Sequence, residues 1–398
     1  MLLGKLDLVK IGNRLRRVDH FIINILKVRL AHGGLSDYVA ECKRKNSADG
    51  IFKKKRKKIE TQRINLMKKW SKKEGIDPDF AASLMYQLIT ESCRVQDDIM
   101  VDRKRENKKN DIDEDNPEEI YKFQKHDLLR LTSNIARFYD DSYAKDFFGS
   151  NIYFKFEKEL IGKLIANLED RSLAIDLGCA TGKISRFLKP EFDNVIGYDI
   201  SPAMIKEARK QASKSEKDIT FLELDLENGL NIQENSVSLA VMNMGTASEI
   251  KNIKKVLLNI KKALTPNGKF ILSFYNSESI MAKIGFIPWP KQIAAHIDSE
   301  KNCLEVYYNN EIYFLYAQPR NIREIESLLE NAGLVLDEKL TYPTFASIMP
   351  NIILENEDKD GNIEPNKEAC QLIKKMDDEL SSSSTNCGTY TIVTGGKK

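Results

Sequence analysis

Apolar residues change their spacing along the chain, and the change divides it. From about Lys5 to Arg103 they recur every three or four positions, as at Ile11, Leu15, Val18, Ile22 and Leu26, the period of an amphipathic helix. The turn signals "KRKNSADG" and "EGIDPDF" cut this region into three helices. The second runs from roughly Ile51 to Lys73, with Ile59, Arg63, Met67 and Trp70 at helical spacing. Asp77 is placed to cap the third, Pro78 suits its first position, and Phe80, Leu84, Leu88 and Val95 form its stripe. The stretch "RKRENKKNDIDEDNPEE" is nearly devoid of apolar residues and predicts a solvated linker, placed at 106–125. Beyond it, the short apolar runs "LAIDLG", "NVIGYD", "ITFLELD", "VSLAVMN" and "KFILSFY" alternate with helical segments, which predicts a parallel α/β sheet. "CLEVYYNNEIYFLYAQ" predicts an antiparallel hairpin turning at Asn309 and Asn310, and "GTYTIVTGG" a last strand.

Composition adds an asymmetry. The 398 residues carry a net charge of only +3, yet Met1 to Lys73 hold 21 Lys/Arg against 6 Asp/Glu. An N-terminal part that handles anions is expected. The basic run "KKKRKK" at 53–58 has the composition of a nuclear address or nucleic-acid patch, but such runs are more often a solvated helix face. Six scattered cysteines without a CxxC pair, and four histidines without a cluster, argue against zinc or a disulfide framework and fit a reducing cytoplasm. No apolar run approaches 18 residues, and the start "MLLGKLDLVKIGNRLRR" reverses the charge order of a secretory signal, so neither membrane span nor export is expected.

The most informative stretch is "LAIDLGCATGK". A buried strand ends in Asp176, a tight turn holds Gly178 and Gly182, and a helix starts near Lys183. Such a turn lets backbone approach a ligand and offers it free N–H groups. The next strand ends in Asp199, 21 residues past Gly178, where a carboxylate can accept from both hydroxyls of a ribose. The glycines are too close for a mononucleotide P-loop, and Ala180 stands where a dinucleotide fingerprint has its middle glycine.

The D-x-G-x-x-x-G pattern resembles motif I of class I S-adenosylmethionine (SAM) methyltransferases. "YDISPAMIKEAR", "LELDLENGL" and "IKKALTPNGKFILSF" are similar to later segments of that family, and the late hairpin and "GTYTIVTGG" resemble its antiparallel strands. The resemblance covers residues 126–398. It implies SAM as cofactor, held by Asp176, Gly178, Gly182 and Asp199, with Asp225 at the adenine and Asn243 on the substrate side. No Asp-Pro-Pro-Tyr motif for exocyclic amines follows the fourth strand. Candidates for a general base are His296 and the tyrosines of "VYYNNEIYFLYAQP"; Tyr139 and Tyr143 are candidates for closing over the cofactor.

In the helical region, Arg29, Ser92 and Gln96 fall on stripes otherwise meant for a core. Unpaired burial would cost about 1–3 kcal/mol each, so they pair with one another or line a polar cavity. "RVDHFIINILKVR", "AECK", Glu60 and "GIDPDFAASLMYQLITESCRVQ" resemble the all-α chorismate mutase family over residues 1–105. The resemblance implies an intertwined homodimer of three-helix protomers. It places Arg29 and Lys43 on the carboxylate and ether oxygen of chorismate, Glu60 on a hydroxyl, and Ser92 and Gln96 in the lining. Gly12 and Ile59 stand where that family has arginines.

The expectation is therefore a helical domain, 1–105, joined by 106–125 to a Rossmann-like methyltransferase domain, 126–398. It would rearrange chorismate to prephenate and methylate a small acid derived from them. Alternatives are a helical domain that only dimerises, senses a metabolite or binds RNA, and a carboxy-SAM synthase using prephenate.

Overall fold

The computed structural model describes residues 116–140, 148–212, 219–283, 294–299, 301–308, 311–348, 355–357, 363–381 and 386–397, with short pieces between 64 and 85. The chain divides into two units, Met1–Ile112 and Asp113–Lys398. In the first, the described pieces are helical. Pro78 opens a helical stretch after Asp77, whose carbonyl takes the Ala81 amide at 3.1 Å, and Lys68 pairs with Asp79 at 2.9 Å.

The second unit begins with helix α1, Pro117–Ile135, which starts inside the stretch expected to be linker and runs past it. Asn116 caps it by accepting from the Glu118 and Glu119 amides, proline sits in the first turn, and both glutamates complement the helix dipole. The acidic run is thus a helix start. Helix α2 spans Phe148–Ala166. Strands and helices then alternate: β1 Leu173–Leu177, α3 Lys183–Leu188, β2 Asn194–Asp199, α4 Pro202–Ala212, β3 Ile219–Glu223, β4 Val237–Met242, α5 Ile253–Ala263 and β5 Leu264–Tyr275. After them come β6 Ala294–Asp298, β7 Cys303–Tyr308, β8 Glu311–Tyr316, α6 Ile322–Ala332 and β9 Leu334–Tyr342. The chain ends with β10 Glu355–Glu357, β11 Ile363–Pro365, α7 Lys367–Leu380 and β12 Tyr390–Lys397.

The main sheet has the order β3-β2-β1-β4-β5-β12-β9. Strands β3, β2, β1, β4 and β5 are parallel, while β12 is antiparallel to both β5 and β9. The parallel strands are covered on both faces, as continuous apolar runs require. Ala174, Leu239, Val241 and Ile271 join a core with Leu131 of α1 and Ile161 of α2. Their neighbours Ile175, Ala240, Met242 and Leu272 face the opposite core, with Val256 and Leu257 of α5 and Leu329 of α6. Each such buried Leu, Ile or Val contributes roughly 1.5–3 kcal/mol.

The expected hairpin forms, with Tyr308 opposite Glu311. It does not extend the main sheet, however. It joins β6 in a separate three-stranded sheet, and β9 and β12 supply the last two strands of the main one. Helix α1 is fastened to this small sheet. The buried Asp127 carboxylate takes the Phe314 amide at 3.0 Å, Arg130 pairs with Glu311 at 2.5 Å, and the Tyr121 and Tyr316 rings meet edge-on at 5.3 Å.

Candidate active site

The C-terminal ends of parallel strands leave a crevice where the crossover direction reverses, here between β1 and β4. A cavity of about 400 Å³ occupies that place. Its floor is the loop after β1 and the ends of β2, β4 and β5; α1, α2 and β8 close over it.

The glycine turn is built as the sequence implies, with a division of labour. Gly178 lines the cavity at φ +76°, and a Cβ there would lie 2.6 Å from Thr246 Cγ2. Gly182, at φ +78°, lies outside the cavity lining; a Cβ would strike the Phe221 ring at 2.6 Å, so it serves the packing of α3 on β3. Ala180, also left-handed at φ 44°, turns its amide onto Asp199 Oδ2 at 2.8 Å.

Asp199 lines the cavity at the end of β2. Its second oxygen takes the Ser201 amide at 2.8 Å, so two backbone donors fix the carboxylate. Burial raises it to about 6 in spite of those bonds, and a ligand offering two hydroxyl donors would favour the ionised form. Asp176 is fully buried behind the turn and does not reach the cavity lining. Ser185 donates to its Oδ2 at 2.6 Å, Oδ1 has no partner, and burial lifts the group to about 7. Asn243 follows β4 and lines the cavity.

Asp225 also lines the cavity, and its side chain is committed. Oδ1 takes the Glu227 amide at 3.0 Å and Oδ2 the Lys125 ammonium at 2.6 Å. Lys125 also reaches Glu227 at 2.7 Å, as does the Tyr121 hydroxyl. Burial works against the Lys125 ammonium, but the two carboxylates outweigh it and raise its pKa, while Glu227 is lowered. This ionic latch ties α1 to the cavity rim.

The other wall is cationic. Lys158 and Lys183 stand over the Phe154 ring at 4.9 and 4.3 Å, and all three line the cavity. Neither lysine has an acidic partner among the described residues. Burial, then Lys183 and Arg186, lower the Lys158 pKa.

Tyr139 and Tyr316 line the cavity; Tyr313 does not. Tyr143, the His296 side chain and the run at 53–58 lie outside the described residues, as do Arg29, Lys43, Glu60, Ser92 and Gln96. Sequence reasoning missed Tyr121, Lys125, Glu227, Glu249 and Tyr275. The Asn-Pro-Glu-Glu helix start could have revealed the first two; no motif marks the others.

The 3-2-1-4-5 parallel core with an antiparallel strand beyond it, and the fixed Asp199 carboxylate beside an open glycine turn, form a Rossmann-like α/β domain of the methyltransferase fold, with SAM as its cofactor. Asp199 and Gly178, which both line the cavity, suit a ligand that carries a ribose. Residues 174–268 match the family described as a methyltransferase domain. The Saccharomyces cerevisiae protein CRG1, a probable S-adenosylmethionine-dependent methyltransferase, is 30% identical over 107 residues, 26% of this chain and 36% of CRG1. The chain thus matches about a third of that relative's length. Among solved structures, an S-adenosylmethionine-dependent methyltransferase from Clostridium acetobutylicum is 16% identical with a TM-score of 0.43, covering 62% of this chain and 92% of that one. The CcbJ methyltransferase from Streptomyces caelestis is 14% identical with a TM-score of 0.43, covering 61% and 95%. No helix among the described residues is long and apolar enough to cross a membrane.

Proposed function

We propose that residues 113–398 transfer a methyl group from SAM to a small acidic acceptor enclosed in the cavity. The observation that carries this is the cavity itself: Asp199 and Gly178 line one space together with the aromatic side chains of Tyr275, Tyr316 and Tyr390. Bound SAM supplies an electrophilic methyl on a sulfonium. Asp199 would hold the ribose and Asp225 the adenine edge, while the capping helix and sheet exclude water. The acidity of the acceptor is supported by Lys158 and Lys183, whose charges meet no acid among the described residues.

The finer reading, that the acceptor derives from chorismate or prephenate and that residues 1–105 form a mutase dimer, rests on the sequence resemblance of Arg29, Lys43, Glu60, Ser92 and Gln96. Incubating the full chain with SAM and chorismate, prephenate and related aromatic acids, read by mass, tests both parts. A one-methyl gain is expected, with chorismate consumed by the wild type and not by Arg29→Ala. Intact chorismate beside bound SAM would end the mutase reading; a carboxyl gain instead of a methyl would replace methyl transfer with carboxy-SAM synthesis.

A further inference from the structure

Five carboxylates of the described residues line the cavity: Asp140, Asp199, Asp225, Glu227 and Glu249. Four have both oxygens committed. Asp140 holds Thr181 and Arg186, Asp199 two amides, Asp225 an amide and Lys125, and Glu227 the Asn252 amide, Lys125 and Tyr121. Glu249 differs. Its Oε1 takes the Tyr275 hydroxyl at 2.5 Å, its Oε2 has no hydrogen bond among the described residues, and no cation pairs with it. Its holder is itself fixed, because the Tyr275 amide donates to Ser248 Oγ at 2.9 Å at the end of β5. Glu249 stands in the loop after β4, six residues past Asn243, on the side of the cavity that Tyr275 shares.

We infer that Glu249, oriented by Tyr275, takes the proton of the methyl acceptor, and that the methylated atom is therefore a hydroxyl oxygen or an N–H nitrogen. The inference rests on the methyl-transfer reading above. In the step, the acceptor oxygen or nitrogen bonds to the methyl carbon as the carbon–sulfur bond breaks. The acceptor proton passes to Glu249 Oε2. The sulfonium charge and the carboxylate charge vanish together, leaving a neutral thioether and a carboxylic acid that returns its proton to water. A carboxylate or thioether acceptor has no proton to give and needs no such group. Burial raises the Glu249 carboxyl to about 7; Tyr275 opposes the rise and Asp199 adds to it. A group poised there both accepts and releases a proton near neutral pH. The Lys125–Asp225–Glu227 latch sets one ammonium against two carboxylates, and the lysines of α2 and α3 flank Phe154; the charge that bears on Glu249 most directly is Asp199.

Infrared difference spectroscopy across a pH titration tests this without any acceptor. In full-length protein loaded with S-adenosylhomocysteine, beside the bands of the buried Asp176 and Glu157 carboxyls, a further carboxyl band is expected to titrate near neutral pH. It should vanish in Glu249→Gln and move to higher pH in Tyr275→Phe. Methyl transfer to 4-hydroxybenzoate, against benzoate as the acid without a protic ring substituent, supplies the second readout. Product is expected from the former only, falling about 10²-fold or more in Glu249→Gln while SAM binding is unchanged. No Glu249-dependent band, or equal product from Glu249→Gln and wild type, overturns the inference, and so does methylation of benzoate. Loss of SAM binding by the wild type would sink the methyl-transfer reading instead.

Discussion

Replacing Lys125 by methionine should loosen the helix that roofs the cavity. The ammonium reaches Asp225 at 2.6 Å and Glu227 at 2.7 Å, with side chains 26%, 22% and 13% exposed respectively. Hydrogen bonds to charged groups contribute about 1.5–3 kcal/mol each. Two bonds to one partly desolvated ammonium contribute less than twice that, and methionine keeps the stem's packing, so the loss should be about 2–3 kcal/mol. For a unit of this size that is a fall of roughly 3–5 °C in the unfolding midpoint. The sign with pH follows from both partners. Lys125 is raised on folding, so its contribution is complete below its unfolded pKa and disappears as pH rises through the folded one. Glu227 is lowered, so its contribution is complete above its unfolded pKa and disappears as pH falls through the folded one. The effect of Lys125→Met should thus be full from about pH 5 to pH 10 and shrink in acid. Denaturant unfolding of wild type, Lys125→Met, Glu227→Gln and the double variant at pH 7 measures the coupling. A coupling energy within error of zero would refute the latch.

Gly178→Ala should cost SAM affinity, because φ +76° disfavours a side chain and the new methyl would meet Thr246 at 2.6 Å; calorimetry of Gly178→Ala alone and with Thr246→Ser should show partial rescue. The ligand-free protein should lose stability as pH rises from about 4 to about 8. Asp176 and Glu157 are raised by burial to about 7 and about 8, so each is neutral at the acid end and is forced to ionise in the core at the alkaline end. Asp176→Asn should flatten that slope in thermal scans, and an unchanged slope would count against the assignment.

How legible this was depended on what fixes each element. The parallel strands announced themselves because burial on two faces demands unbroken apolar runs such as "VSLAVM". The glycine turn and Asp199 were legible because their spacing is dictated by a strand, a tight turn and a second strand. The α1 helix was hidden by its charges: Lys125 and Glu118 read as solvated linker, although Lys125 finds its partners 100 and 102 residues away. The β7–β8 hairpin was visible from local alternation, but alternation says nothing about which sheet a hairpin joins. Gly182 looked like a ligand contact because its need for positive φ is the same whether a ligand or the Phe221 ring lies beside it. Glu249 carried no signal at all, since its meaning comes from an unpaired oxygen in a shared cavity.

The central claim is that the cavity at the ends of β1, β2 and β4 holds SAM through Asp199. Calorimetric titration of SAM into wild type and Asp199→Ala tests it most directly. Two ribose hydrogen bonds to a carboxylate contribute about 3–6 kcal/mol, so the variant should bind at least 10²-fold more weakly while its fold, read by circular dichroism, is retained. Wild-type affinity in a folded Asp199→Ala protein would contradict the account.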